Sequence, residues 1–199
     1  MSNVENFRPR NGYFLSFWAF FTISTLTYIN ILDYGFTGGL PSITWGLFAC
    51  SFFYLIFIHP KVVYSDQGLI IVNPMKEITL GWHEISEIDA KYTMYVIHKP
   101  SNLKIHAFAA QAPGRYHARN IHPTEIRGIR LGDSGSIKAG ESPRSNSGVA
   151  IAMARNYFEN FNQVENIPGL EFSTKYNYRG AAISASLFLI ALITQFAGL

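Results

Sequence analysis

Three stretches of this chain hold no charged residue: 14–32 (FLSFWAFFTISTLTYINIL), 40–58 and 180–199, which are 19, 19 and 20 residues long. An α-helix rises about 1.5 Å per residue, so each stretch nearly crosses a hydrocarbon core roughly 30 Å thick. The composition agrees, because 16 Phe and 11 Tyr lift the aromatic share to 15%, more than a single soluble core normally carries. Asp33-Tyr34-Gly35-Phe36-Thr37-Gly38-Gly39 separates the first two stretches, and this glycine-rich run reads as the turn of an antiparallel membrane hairpin. Ahead of the third stretch stands Lys175-Tyr176-Asn177-Tyr178-Arg179, a basic and aromatic cluster suited to a lipid interface.

Two other readings compete for these stretches. A basic start followed by an apolar run also describes a secretory signal, but no clear small-x-small cleavage site follows Leu32 and a second apolar run arrives at once. Ser184, Ser186, Thr194 and Gln195 dilute the third stretch, for which a buried amphipathic helix is the alternative. Its small residues (Gly180, Ala181, Ala182, Ser184, Ala185, Ser186) suit close helix packing, and Ser24, Thr25, Thr27 and Asn30 suggest helix contacts within the membrane.

All 16 Lys and Arg residues fall at Arg8 and Arg10 or between Lys61 and Arg179. Because basic loops stay on the cytoplasmic side, the expected topology is an inner (plasma) membrane protein with N-terminus and middle stretch inside and C-terminus outside. The expected divisions are a tail at 1–13, a transmembrane hairpin at 14–58, a cytoplasmic domain at 61–165, a linker at 166–179 and a third transmembrane helix at 180–199. The net charge of +3 gives no case for nucleic acid as partner, and a single cysteine, Cys50, excludes a disulfide framework and a four-cysteine zinc site.

Between the spans, short β-prone runs alternate with turn signals. Val62 to Ser65, then Asp66-Gln67-Gly68, then Leu69 to Val72 reads as a hairpin with glycine at a positive-φ position. Ile78, Leu80 and Trp82 alternate with polar or small neighbours; with Ile85 they form the expected structural core, and further runs at 92–97 and 103–109 bring the total to about six strands. A long segment, 111–147, then interrupts the pattern, with one candidate short strand near Ile126 to Leu131. After it, Val149, Ala150, Met153, Tyr157 and Phe161 fall at helical spacing, widened by Ala154 and Phe158, behind a cap drawn from Ser145, Asn146 or Ser147.

Antiparallel strands closed by one amphipathic helix follow the order of a pleckstrin-homology (PH) domain. The residues Val63-x-x-Asp66-x-Gly68-Leu69-x-x-x-Asn73-Pro74, then Leu80-x-Trp82-x-Glu84-Ile85-x-x-Ile88, resemble the opening of bacterial PH-like domains of actinobacterial membrane proteins, as does Ala107-Phe108-Ala109-x-Gln111-Ala112-Pro113-Gly114. The resemblance covers about residues 60–110. It implies an α+β membrane protein with three transmembrane helices and a PH-like β-barrel capped by its C-terminal helix. It does not bring a phosphoinositide site, because Asp66-Gln67-Gly68 lacks the clustered Lys and Arg that such a site needs.

Catalytic signatures are weak. His117 and His122 are five apart in what reads as a loop, and no fixed metal-binding spacing supports them. His59 and His83 read as membrane-face residues, and His98 and His106 as strand residues. Asp133-Ser134-Gly135-Ser136 has no accompanying base and orienter, and Glu84, Glu87 and Asp89 read as exposed edge charge. The expectation is a protein without catalytic residues, cofactor, metal or small-molecule substrate.

The long insertion is the most informative irregular segment. Arg115, Arg119, Arg127, Arg130, Lys138 and Arg144 outnumber Glu125, Asp133 and Glu141 within it. Loops of this length are usually functional or disordered, and Arg115, Tyr116, Arg119, Arg127 and Arg130 are the expected contacts with a partner or with lipid. The expected function is a non-catalytic, membrane-anchored adaptor or accessory subunit of a larger membrane protein complex. The actinobacterial resemblance makes a respiratory cytochrome supercomplex the concrete instance. The alternative is a stand-alone PH-like module that binds anionic membrane lipids; a transporter or channel role is weaker, since no span carries a charge to mark an ion path.

Overall fold

The computed structural model describes residues 4–112, 145–163 and 168–197. The chain is α+β and divides into two compact units, one made of 10–59 with 176–199 and the other of 1–9 with 60–175.

The first unit holds three helices long and apolar enough to cross a membrane: α1 (Arg10–Gly38), α2 (Leu40–Phe53) continued by a π-helical turn (Tyr54–Ile58), and α4 (Tyr178–Phe196). The seven residues expected as a turn are instead almost wholly helical. Helix α1 runs on to Gly38 and breaks only at Gly35, whose φ of 71° lies in the region open to glycine and costly for other residues. The Gly39 amide then donates to the Gly35 carbonyl at 2.9 Å, and Pro41 stands in the first turn of α2, where its missing N–H costs nothing.

Helix α2 packs against both α1 and α4. Towards α4 it offers hydroxyls and rings: Thr44 meets Thr194 at 2.8 Å, Ser51 meets Ser184 at 3.0 Å, and Trp45 and Phe48 sit edge-on and tilted against Phe188. Of the polar residues expected to join helices, Thr25 and Asn30 bond back to carbonyls of their own helix, Phe21 and Leu26. Such back-bonding satisfies a hydroxyl or amide in lipid without a neighbour. Thr27 does face α2, packed where Gly46 leaves room for it.

The second unit contains β1 (Val4–Phe7), β2 (Lys61–Ser65), β3 (Gly68–Val72), β4 (Lys76–Gly81), a 3₁₀ turn (Trp82–Glu84), β5 (Ile85–Ala90), β6 (Thr93–His98), β7 (Leu103–Gln111), helix α3 (Asn146–Gln163) and β8 (Ser173–Tyr176). The strands form two sheets, β1-β2-β3-β4-β8 and β5-β6-β7. Two of these strands fall where the sequence suggested none. β1 lies inside the expected N-terminal tail and pairs antiparallel with β2, Phe7 opposite Val62; β8 lies inside the expected linker. Four residues are too few to display a period, so both depend on an edge offered by the rest of the sheet.

The expected barrel is not closed. At one seam the Asn73 side chain stands in for a strand: its amide donates to the His106 carbonyl at 2.8 Å, and its carbonyl accepts from the Phe108 amide at 2.8 Å. One side chain thereby joins the β3–β4 turn to β7, where a closed barrel would carry a backbone ladder. In the first hairpin Gly68 has no positive φ, contrary to expectation. Glycine is needed there because a Cβ would run into the Leu80 carbonyl.

The core lies between the sheets and α3. Val62, Tyr64, Leu69, Ile71, Met94 and Val96 are buried, and so are Ile78, Leu80, Trp82 and Ile85. The indole N–H of Trp82 donates to the Ser65 carbonyl at 2.8 Å, which allows a polar atom to be buried in that core. Helix α3 contributes Ala150, Ile151, Ala154 and Tyr157, with Met153, Phe158 and Phe161 packed at the edge. Val149, expected in this stripe, is 39% exposed, and Ile151 is buried in addition to the expected positions. The Ser145 hydroxyl caps α3, accepting from the Gly148 amide at 2.8 Å.

Candidate functional site

The expected contact residues Arg115, Tyr116, Arg119, Arg127 and Arg130, and the candidate strand near Ile126, lie outside the described residues, in 113–144. What the structure defines is the ground from which that segment departs and to which it returns. The departure point is the end of β7, where Gln111 lies opposite Thr93 and the Ala112 amide donates to the Tyr92 carbonyl at 2.8 Å. The return point is Ser145, at the start of α3. Buried Tyr64 links the two: its hydroxyl lies 3.8 Å from Met94 Sδ, one residue beyond Thr93, and donates to the Ala150 carbonyl at 2.9 Å. Burial raises the Tyr64 phenol well above its ordinary pKa, so this donor keeps its proton at any working pH. Lys91 and Tyr92, both exposed, stand at the same β5–β6 turn, the ammonium 5.6 Å from the ring centre.

Beside this end, the outer face of β5-β6-β7 carries a compact polar group. Asp89 was expected as exposed edge charge, yet it is only 7% exposed. Its carboxylate accepts from the Ala90 amide at 2.7 Å and from the Tyr95 hydroxyl at 3.0 Å, and these bonds offset the cost of burial. Burial first, and then the Asp89 carboxylate, push the Tyr95 phenol up to about 12. The Lys104 ammonium sits 3.3 Å from the Tyr95 ring centre, close enough for a cation–π contact. His106 bonds through Nδ1 to Thr93 at 2.9 Å; burial and the Lys104 charge hold its pKa below the usual value.

A second group sits where the chain runs from α3 towards β8. Phe172 stacks on buried His98 with ring centres 4.3 Å apart, and the Leu170 amide donates to the Gln67 carbonyl at 3.1 Å. Gly169 lies directly against the His83 ring, where no side chain would fit. His98 Nδ1 pairs with the Ser101 hydroxyl at 2.7 Å, while Nε2 faces Glu84 Oε1 at 4.0 Å, too far for a hydrogen bond. The histidines expected in strands are there, but His98 points into the fold and His106 out of it.

Among the described residues, no three His, Cys, Asp or Glu side chains cluster tightly enough to hold a metal ion. The sequence reading missed Asn73, Asp89 and Tyr64 as organising residues. Asn73 had one visible signal, an amide just before Pro74 in a break between strands; Tyr64 had none, because Met94 and Ala150 are remote in the chain, and Asp89 has near partners, Ala90 and Tyr95, of which Tyr95 comes opposite it only when β5 and β6 pair. No protein-family model matches this chain, and neither a curated protein nor a solved structure matches it.

Proposed function

We propose that this chain is a non-catalytic, membrane-anchored adaptor: an accessory subunit that uses a PH-like domain at the cytoplasmic face of the plasma membrane to hold a protein partner. Under this reading segment 113–144 is the docking element, with Arg115, Tyr116, Arg119, Arg127 and Arg130 as its contacts. The assembly implied by the resemblance to actinobacterial PH-like membrane proteins is a respiratory cytochrome supercomplex.

The supporting observation is the anchorage of that segment. The described elements on either side of it, β7 and α3, belong to one packed scaffold, in which the Tyr64 hydroxyl lies between β6 and α3. Binding segments are commonly loops held by such rigid frames, and the six-to-three excess of basic over acidic residues suits an acidic partner surface.

The test is purification of the full chain in mild detergent, with mass spectrometry of co-eluting proteins, for the wild type and for single alanine variants at the five contact positions. Protein docking concentrates energy in a few anchors, so one of Arg115, Tyr116 and Arg119 should cost at least about 2 kcal/mol while its neighbours cost little. Equal, additive and salt-sensitive losses of binding to anionic liposomes, with no stable partner recovered, would replace the adaptor with the lipid-binding module.

A further inference from the structure

The helical unit contains a cavity of about 310 Å³ between the end of α2 and the start of α4. Ligand pockets commonly hold ~300–1,000 Å³, so this one accepts a section of a molecule and leaves the rest outside. Its walls are graded. Ser51 and Ser184 close one end with their hydroxyl pair, Leu55 and Ile183 line the middle, and His59 and Asn177 stand at the other, where both helices reach their termini.

Local geometry makes the space. The last turn of α2 widens into the π-helix Tyr54–Ile58, a form found mostly as single turns within α-helices and frequently at functional sites. Opposite it Gly180 has no side chain; a Cβ there would come within 2.8 Å of Leu55 Cδ2 and 2.5 Å of Asn177 Nδ2. Asn177 is fixed as the cap of α4, its Oδ1 accepting from the Gly180 amide at 3.0 Å, so its Nδ2 is turned towards His59 Nε2, 3.5 Å away.

The lining residues Tyr54 and Ile183 are exposed, so the cavity opens on a face that lipid would cover. An apolar slot that ends in an amide donor and an imidazole at the terminus of two spanning helices matches an acyl chain with its ester carbonyl at interface depth. Basic side chains mark the same end: Arg179 precedes Gly180, and Arg10 begins α1, whose Gly12 packs against the Phe57 backbone. We propose that the cavity binds an anionic glycerophospholipid, one acyl chain along Leu55 and Ile183, an ester carbonyl at Asn177 and His59, and the phosphate drawn to Arg179.

The test uses the full chain in phosphatidylcholine nanodiscs that contain a minor fraction of phosphatidylglycerol bearing a photoactivatable acyl chain, with adducts mapped by mass spectrometry. Adducts are expected to concentrate on 51–59 and 177–184 over the exposed Phe14, Phe17, Trp18 and Phe21 of α1. Ser184→Leu, which fills the slot, should bring them down to the level of α1. Arg179→Gln, at an exposed position, should lower them about fivefold for the anionic probe and leave a phosphatidylcholine probe unchanged. Equal adducts along all three helices would overturn the proposal, as would a Ser184→Leu protein of unaltered helicity that labels like the wild type. If Ser184→Leu fails to fold, the Arg179→Gln comparison still decides: equal loss or no loss for both probes overturns it.

Discussion

The Tyr64 hydroxyl donates to the Ala150 carbonyl across 2.9 Å, joining a strand that begins at residue 61 to the first turns of a helix 86 residues further on. Both groups are buried, so the bond closes the domain where the segment 113–144 leaves and returns. Tyr64→Phe keeps the ring, removes the donor, and should cost about 1–2 kcal/mol. Thermal unfolding of the full chain in detergent measures this, and an unchanged transition would show that water replaces the bond.

Trp82 is fully buried beneath Tyr157, with ring centres 6.4 Å apart, and also touches Phe158 edge-on. Trp82→Ala should destabilise the unit that holds the two sheets by about 3–5 kcal/mol, since a cavity of that size cannot collapse against two sheets and a helix. Trp82→Phe should cost clearly less, losing mainly the bond to the Ser65 carbonyl. Equal losses for the two variants would make that hydrogen bond, and not the packing, the principal contribution.

Asn73 joins the two sheets through both arms of its amide. Asn73→Asp keeps the acceptor for the Phe108 amide but sets a carboxylate oxygen against the His106 carbonyl. Asn73→Ala removes both bonds, which are solvent-accessible, so the expected cost is about 1 kcal/mol. Hydrogen exchange at the Phe108 amide should quicken in the alanine variant while amides of β2 and β3 keep their protection. Uniform quickening would mean that the seam does not open separately.

Tyr95 holds its proton more tightly folded, at about 12, than at its ordinary 10.0. The folded state therefore gains stability from this group below pH 10.0, and that gain is lost as pH rises from 10.0 to about 12. Tyr95→Phe should make the fall in stability across this window shallower than in the wild type, as followed by thermal unfolding at a series of alkaline pH values. Matching slopes would show that Tyr95 titrates alike in both states.

Topology is open to direct labelling in whole cells. With Cys50 replaced by Ala, a cysteine at Thr37 or after Leu199 should react with an impermeant maleimide, whereas Ser134→Cys should not. Labelling at Ser134 would invert the orientation.

The amino-acid order alone determined the three apolar helices, because charge is costly along a helix in lipid and its absence over about 20 residues leaves a contiguous record. It also determined the six strands between Lys61 and Gln111 and the helix after Ser145, whose alternating or helical periods survive wherever one face meets a core. Tertiary structure decided what depends on how the elements pair and pack. The strands Val4–Phe7 and Ser173–Tyr176 exist because β2 and β4 offer them edges. Asp89 is buried because Tyr95 and the Ala90 amide satisfy it, and Asn73 serves as a substitute strand because β7 passes within reach. Even the reversal between the first two apolar stretches follows this division: glycines announced it, but only the folded backbone shows that Gly35, at φ 71°, takes the break and that Gly39, close against Ile31, takes the turn. A short polar residue carries no period of its own, and its role is set by whichever group the fold brings opposite it.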